Sequence, residues 1–308
     1  MKVHIKISPS PQLPHHREYG EAFAAGLKMH GIKEKDIVIE ADFVTRRCDV
    51  AVFWGFHPRT ADIRARQQAE GNRYLVMERA VLGPQMEMVQ LGWDGQGALA
   101  NFCNGASPPD RAEKYASLLK PQRRAKKQDY VLVIGQMPGD NSLSGMDIDQ
   151  WRRDVVAQLS EITDRRIVYR PHPNDPRIAL GEVGVSYLGG DLEPALAGAA
   201  VVVTYNSGTG VDAVLAGVPV ITLDERSHAW PVAGHDLQAV ADLAALKFDR
   251  KQWLNDLAYT QWSKAEIISG AAWEHLRQIL REPFGNPSTG SGLRLRTSPQ
   301  DDHSEGQG

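Results

Sequence analysis

The chain has little of what an exported or membrane-embedded protein needs. Only two cysteines, Cys48 and Cys103, occur in 308 residues, and their spacing fits neither a disulfide framework nor a metal site. The N-terminal residues run into Pro9 and Pro11 and lack the apolar core of about 7 to 15 residues that a signal peptide requires. No apolar run approaches the roughly 20 residues of a membrane span. We therefore expect a cytoplasmic protein with no transmembrane segment.

The chain also lacks a large excess of charge of either sign. It carries 35 lysines and arginines against 38 aspartates and glutamates, a formal net charge of −3. The whole molecule therefore has no general attraction for nucleic acid or for anionic membranes. No cluster of metal ligands is apparent. The composition, 42% hydrophobic and 24% charged residues, is that of a globular protein, and the length fits two domains of ordinary size.

Short β-rich runs alternate with amphipathic helical stretches, which is typical of parallel βαβ units. A basic, polar stretch at residues 120–127 separates two such series. We therefore predict an α/β fold of two Rossmann-like, doubly wound domains that face a central cleft. The predicted units are an N-terminal domain at 1–120, a second domain at 121–245, bridging helices at 246–282 and a disordered tail at 283–308. The predicted strands are residues 2–7, 37–39, 50–54 and 73–77 in the first half and 130–134, 166–169, 183–187, 201–204 and 218–222 in the second.

The most informative stretch begins where the predicted strand at 201–204 ends. It brings hydroxyl groups and backbone N–H groups to the start of a predicted helix, a position that favours a bound phosphate. An ordinary helix cap with a tight turn would use the same residue types. We predict that a diphosphate-binding loop is formed by Tyr205, Asn206, Ser207, Gly208, Thr209 and Gly210.

Two further loops follow predicted strands of the same domain, at the edge where open α/β sheets bind ligands. In the first, prolines flank Arg170 and His172 and stiffen the loop. A guanidinium can bind a phosphate through two N–H groups, and an imidazole can donate to a leaving-group oxygen. In the second, Gln136 belongs to the stretch GQMPGDNS, which is not a GxGxxG fingerprint and so disfavours a dinucleotide oxidoreductase. A surface turn would explain either loop alone, but the pair favours a phosphate site.

The order of these three loops resembles the donor half of the GT-B glycosyltransferases, particularly the bacterial capsule Kdo transferases and related polymer transferases with an Arg-Pro-His-Pro loop. The similarity covers residues 131–224. It implies a nucleotide-sugar substrate, expected to be a UDP-sugar, with no cofactor and no metal. It also implies that Arg170 and His172 contact the donor phosphates, and that Asp212 or Asp224 binds the sugar or the ribose. Residues 225–235 depart from the capsule enzymes, which leaves the sugar unassigned.

The N-terminal half, around Glu78 and the stretch LGWDGQG at residues 91–97, is similar instead to glycosyltransferases associated with bacteriophages. Some of these would be expected to modify DNA bases. In glycosyl transfer, a base near the acceptor hydroxyl is expected on the N-terminal side of the cleft. We predict Asp94 and Glu78 first, then His57, as candidates for this base. An ion pair with a neighbouring arginine, an Asx turn or a loop cap would explain each of them without catalysis.

The acceptor is expected to meet aromatic and basic residues beside the cleft. Trp54 and Trp93, at predicted loop positions, are candidates for stacking on a flipped base or a sugar ring, with His16 nearby. Arg123 and Arg124, in the basic run at the domain junction, would hold a polyanion such as DNA. A solvated linker would also explain the basic run.

These observations favour a glycosyltransferase that modifies a hydroxymethylated pyrimidine in phage DNA. One alternative is a transferase that builds a capsule or lipopolysaccharide glycan, which predicts a peripheral hydrophobic or basic surface patch. A nucleotide-sugar epimerase would share the two-domain fold and the phosphate loops. A non-catalytic sugar-nucleotide-binding protein would share the donor site alone. The sequence leaves the oligomeric state open.

Overall fold

The structure is a computed structural model that describes residues 1–84, 87–175 and 186–281. The predicted tail at 283–308 and most of the predicted strand at 183–187 lie outside the described residues. Two β-sheets, each flanked by helices, make up the chain.

The first sheet has six strands in the order β11-β5-β4-β3-β1-β2. Strands β1 to β4 are parallel, whereas β5 runs antiparallel to both β4 and β11. Runs such as VAVFW in β3 are buried almost throughout, as expected for strands covered on both faces. The strands are β1 (Val3–Lys6), β2 (Ile37–Glu40), β3 (Val50–Trp54), β4 (Arg73–Arg79), β5 (Met88–Trp93) and β11 (Gln261–Ser263).

The second sheet has five strands, all parallel, in the order β10-β9-β6-β7-β8. Its two central strands, β6 and β9, are buried along their whole length. All the loops that follow these strands therefore leave the same edge of the sheet. The strands are β6 (Tyr130–Ile134), β7 (Ile167–Arg170), β8 (Ser186–Tyr187), β9 (Ala199–Thr204) and β10 (Val220–Thr222).

Helices connect the parallel strands and cover the sheets. In α3 the apolar side chains of Trp151, Val155 and Leu159 recur every four residues on one buried face. The Asp147 side chain accepts the N–H groups of Asp149 and Gln150 and so fixes the start of this helix. The helices are α1 (Pro14–Met29), α2 (Ala61–Ala69), α3 (Ile148–Ile162), α4 (Leu192–Ala197), α5 (Thr209–Leu215), α6 (Arg250–Ala258), α7 (Lys264–Ile268) and α8 (Ala271–Leu276).

The C-terminal segment packs against both sheets. Trp253 of α6 is buried in the core that covers one face of the second sheet, whereas Trp262 and Trp273 are buried in the core beneath the first. The strand β11, which contains Trp262, interrupts the helical region predicted from the sequence and pairs with β5. The Gln261 side chain holds this strand in place, because it is completely buried and hydrogen-bonded to the segment after β4. Among the described residues, no helix has the length and hydropathy needed to cross a bilayer.

Gln261 generates a test of this arrangement. Its side chain accepts the N–H groups of Val81 and Leu82 and donates to the carbonyl of Leu82 at 2.8 Å. We expect Gln261→Ala to lower the free energy of unfolding by about 2–4 kcal/mol, because buried backbone groups lose their partners. Urea unfolding measures this, with the exposed Gln128→Ala as the control. Equal stability of the two variants would contradict the structural role given to Gln261.

Candidate active site

Three loops meet at the carboxyl edge of the second sheet through the side chain of Asn206. Its Oδ1 accepts from Gln136 Nε2 at 2.7 Å, and its backbone N–H donates to Gln136 Oε1 at 3.1 Å. Its Nδ2 donates to the carbonyl of Ser142 at 2.9 Å and to Asp224 Oδ1 at 3.2 Å. Asn206 therefore joins the loops that follow β6, β9 and β10.

Arg226, which sequence reasoning missed, completes this network. Its guanidinium binds both carboxylate oxygens of Asp224, at 2.7 and 2.6 Å, and donates to the Tyr205 hydroxyl and to Ser144. Burial alone would raise the pKa of Asp224, but the bonds from Arg226 and Asn206 hold that pKa below its usual value. The signal that could have found Arg226 in the sequence is its position two residues after Asp224.

The carboxylate of Asp224 is therefore occupied by protein groups rather than open to a sugar hydroxyl. It binds and orients Arg226, so its visible role is to position that guanidinium. Asp212, the other carboxylate proposed for the sugar or the ribose, lies exposed on the first turn of α5. Its exposure leaves that carboxylate accessible to a ligand.

Arg170 and His172 stand at the end of β7, on the other side of the β6 loop. One terminal nitrogen of Arg170 donates to the carbonyl of Gly190 at 2.6 Å, and the other is buried with no hydrogen-bond partner in the described chain. Nδ1 of His172 accepts the N–H of Asn174 at 3.2 Å. This bond places the proton of a neutral His172 on Nε2, leaving that nitrogen as a donor.

The loop after β9 has an open approach. Ser207 donates its N–H to Thr204 Oγ1, and its own hydroxyl accepts the N–H of Thr209 at 3.3 Å. An ideal Cβ built on the exposed Gly208 would meet no atom within 4 Å. Gly210, by contrast, is buried against Ala229. In the predicted diphosphate-binding loop, some residues thus cap the helix and others are accessible to a ligand.

One feature of the sequence has the spacing of a metal motif. Asp147 and Asp149 form an Asp-x-Asp pair, and the Asp147 side chain caps α3. Within residues 1–84, 87–175 and 186–281, no group of three or more His, Cys, Asp or Glu side chains is placed to hold a metal ion. Independence from metal stays a prediction.

Glu78 lies near the end of β4 and faces the second sheet's loops. It accepts the N–H of Gly97 at 3.1 Å and a bond from the Gln96 side chain. Burial raises the pKa of Glu78 to about 7, and these two hydrogen bonds oppose the rise, while the negative charge of Asp140 adds to it. Asp140 belongs to the loop after β6. The carboxylate of Glu78 is therefore close enough to that loop, on the other side of the cleft, to interact with its charge.

The turn that holds Glu78 also touches the loop after β10. We name the loops after β6, β7, β9 and β10 the donor loops, after the role predicted for them. Gly97 has a φ of +56°, and a Cβ there would lie 2.4 Å from the carbonyl oxygen of Arg226. The next residue, Ala98, donates its N–H to the same oxygen at 2.9 Å. Close by, His228 Nε2 and Gln90 Oε1 are 3.1 Å apart across the two sheets. These contacts fix the distance between Glu78 and the donor loops.

Asp94 has a structural role and is not placed to be the base. Its carboxylate pairs with Arg73 at 2.6 Å and accepts the N–H of Tyr74 at 2.9 Å. Both partners begin β4, at the amino end of the strand, whereas Glu78 lies near its carboxyl end. The prediction for Asp94 was wrong in this respect, because an Arg73 ion pair and a turn explain it. Asp94 anchors the turn that carries Gly97.

The other residues assigned to the N-terminal side form an aromatic cluster. The rings of His16 and Trp54 stack with centroids 4.8 Å apart, and His15 meets both edge-on at 4.6 Å. Burial, with the nearby His15 and His57, lowers the pKa of His16 to about 4. The His57 ring packs edge-on against Phe43, and burial lowers its pKa as well. The pKa of His15 is lowered too, so the imidazoles of the cluster are held towards their neutral form.

Three predicted acceptor residues lie elsewhere. Trp93 is the last residue of β5, not a loop residue, and is completely buried with its Nε1 donating to Leu276. The guanidinium of Arg123 binds the carbonyls of Ala197 and Ala199, at the amino end of β9. Arg124 is exposed beside it. These two arginines lie at the edge opposite the donor loops, so the basic run does not border the cleft.

The two Rossmann-like sheets and the loops that face each other define a GT-B fold, which confirms the predicted fold class. The chain is similar to KpsC beta Kdo 2,4 transferase of Thermosulfurimonas dismutans, with 18% identity, 85% of this chain and 92% of that chain covered, and a TM-score of 0.52. It is also similar to KpsC beta Kdo 2,7 transferase of that organism, with 13% identity, 89% and 99% coverage and a TM-score of 0.47.

A third similar structure is UDP-GlcNAc 2-epimerase of Methanocaldococcus jannaschii in complex with UDP-GlcNAc and UDP. It has 12% identity, 91% and 99% coverage and a TM-score of 0.36. No protein-family model and no curated protein matches the sequence. The similarity to the KpsC beta Kdo 2,4 transferase, with a TM-score of 0.52 at 18% identity, shows a shared fold and leaves the reaction to be argued from the site.

Gly208 gives a direct test of the donor loop. Its φ of −55° suits any residue and its Cβ position is open, so Gly208→Leu should change the unfolding midpoint little. The added side chain should fill the approach to the loop and weaken nucleotide binding roughly tenfold or more. Calorimetric titration with the nucleoside diphosphate of the accepted donor measures this, with Gly208→Ala giving a smaller loss. Unchanged affinity in Gly208→Leu would remove this loop from the site.

Glu78 predicts an unusual dependence of stability on pH. Its pKa rises from 4.5 to about 7 on folding, so the folded state binds the proton more tightly, and stability from this group is lost as pH rises through that interval. Glu78→Gln, which mimics the protonated carboxyl, should exceed the wild type by up to about 3 kcal/mol at pH 8 and by less than about 1 kcal/mol at pH 5. Urea unfolding at both values tests this. The exposed Glu161→Gln should show no such difference.

Proposed function

We propose that the protein is a glycosyltransferase that moves a sugar from a nucleotide-sugar donor to an acceptor hydroxyl. The observation that carries this proposal is Glu78, a half-buried carboxylate with a pKa near 7 that faces the donor loops across the cleft. A general base works best with a pKa near the working pH. The GT-B fold supplies the frame for such a pair of facing sites.

The donor is proposed to lie at the carboxyl edge of the second sheet. The guanidinium of Arg170 and the Nε2 of His172 would bind the diphosphate, which carries growing negative charge as it leaves. The open loop at Ser207 and Gly208 would add hydrogen-bond donors. As predicted, we propose a UDP-sugar as substrate and no cofactor.

In the proposed reaction the acceptor oxygen bonds to the anomeric carbon while the bond to the diphosphate breaks. Glu78 takes the proton of the acceptor hydroxyl, and the diphosphate leaves with the bonding electrons towards Arg170 and His172. Because the base and the leaving group lie on opposite sides of the cleft, we propose a single displacement with inversion at the anomeric carbon. Asp224 and Asn206 act by positioning the donor loops.

We propose a hydroxyl of a glycan as the acceptor in preference to a modified pyrimidine in DNA. The DNA proposal needed basic and stacking residues beside the cleft, and Arg123, Arg124 and Trp93 are not there. The stacked pair of His16 and Trp54 remains near the carboxyl edge of the first sheet. Stacked aromatic rings suit a sugar ring.

Substitutions in the two halves of the proposed site should impair different steps, donor binding in one and sugar transfer in the other. Arg170→Ala and His172→Ala should weaken nucleotide-sugar binding at least roughly tenfold, since each removes a charge-assisted contact. Glu78→Gln should bind the donor normally and lose transfer by a factor of about 10² or more. Wild-type kcat/KM should rise with pH and level off above the Glu78 pKa of about 7. Arg153→Ala, an exposed arginine on α3, is the matched control.

Binding is measured by calorimetry with UDP-, GDP- and CMP-sugars, and transfer by mass spectrometry with glycan acceptors and 5-hydroxymethylpyrimidine DNA side by side. Sugar added to a glycan supports the proposal, whereas sugar added to DNA would replace the acceptor. Conversion of the donor without any acceptor would identify an epimerase. Wild-type donor affinity in both Arg170→Ala and His172→Ala would refute the donor site.

A further inference from the structure

The basic run that does not border the cleft lies on an ordered surface of its own. The N–H groups of Lys120 and Arg123 donate to the carbonyls of Leu215 and Gly217, at the end of α5. A helix that follows a parallel strand returns antiparallel to it, so the end of α5 lies at the amino edge of the second sheet. The run therefore occupies the edge opposite the donor loops.

Arginines hold this run in place. Arg123 binds the carbonyls of Ala197 and Ala199, and Arg165 donates to the carbonyl of Lys126 at 2.7 Å. Arg250 donates to the carbonyl of Lys120 at 3.0 Å. The run is thus fixed to the domain by its own backbone, which differs from the solvated linker that its composition also allowed.

These contacts leave the cations of the two segments exposed, together with two large apolar side chains. Leu118 is 43% and Phe248 is 38% exposed. The two segments that carry them are joined by Gln122 Nε2, which donates to the carbonyl of Leu246 at 2.6 Å. We name this surface the basic edge, which consists of Leu118, Lys120, Arg124, Lys126, Lys127, Lys247, Phe248 and Lys251.

Acids in or beside these segments offset only part of the charge of the basic edge. Asp249 is occupied as the cap of α6, where it accepts the N–H groups of Lys251 and Gln252. Asp129 is buried and accepts the N–H of Lys126. Asp164, beside Arg165, and Asp249 are exposed. In a chain of net charge −3, six exposed cations on one edge are a local concentration of positive charge.

We propose that the basic edge docks the protein on the surface of an anionic lipid bilayer. Lysines attract anionic headgroups, and exposed leucine and phenylalanine side chains insert at the boundary of headgroups and acyl chains. Apolar anchors among cations favour a bilayer over a nucleic acid, whose backbone offers no apolar phase. This docking requires neither donor nor acceptor, so it stands apart from the proposed transfer reaction.

Vesicle flotation of the full chain tests the proposal. Phosphatidylcholine vesicles with phosphatidylglycerol should carry the protein upward, pure phosphatidylcholine vesicles should not, and high salt should weaken the binding. Lys126→Glu with Lys127→Glu should reduce bound protein roughly tenfold or more. Leu118→Ser with Phe248→Ser should reduce it at unchanged charge. The exposed pair Lys33→Glu with Lys35→Glu, on the other domain, is the control.

Circular dichroism checks that each double variant is folded. Three results would overturn the proposal: no flotation with anionic vesicles, equal losses in the control and the basic-edge variants, or retention on duplex DNA through Lys126 and Lys127 without any vesicle binding. The flotation assay contains no nucleotide sugar, so its result does not depend on whether the protein transfers a sugar.

Discussion

The candidate site of this protein depends on one constraint, which is that three loops at the ends of parallel strands keep a fixed spacing. The amide of Asn206 sets that spacing, because it uses both its oxygen and its nitrogen, and its backbone N–H as well, on partners in the neighbouring loops. Gln136 is buried, so loss of Asn206 would leave its polar amide without a hydrogen-bond partner. A preorganised network of this kind spares the ligand the cost of ordering the loops.

Contacts through Gly97 link this network to Glu78, the proposed base, in the other half of the molecule. Glu78 receives a hydrogen bond from Gly97, and Gly97 lies against the carbonyl of Arg226, whose guanidinium is locked to Asp224. The chain of contacts runs from the predicted base to the donor loops without a gap. The same closeness removes water from Glu78, which is the physical origin of its raised pKa. The position of the base and its basicity thus have a common cause.

The sequence was enough to predict the strand–loop edges, since buried parallel strands appear as continuous apolar runs and their ends are marked by polar and glycine residues. Gln136, Arg170, His172 and the loop at Asn206 all lie on the edge expected for them. Arg226 and Gly97 were missed because their roles arise from contacts between distant parts of the chain. Trp93 and Asp94 were misplaced for a related reason: β5 is antiparallel, so its end lies at the amino edge of the sheet, and a loop pattern gives no sign of strand direction.

The strand β11 has a consequence for how such proteins can be divided and recombined. It is made of residues near the end of the chain, yet it forms the border of the sheet built from the first residues. A fragment cut at the basic run would therefore expose the edge of β5 and open the pocket of Trp262 and Trp273, inviting self-association. A chimera that exchanges the first sheet with that of a protein of the same fold would have to transplant residues 259–281 together with the N-terminal half.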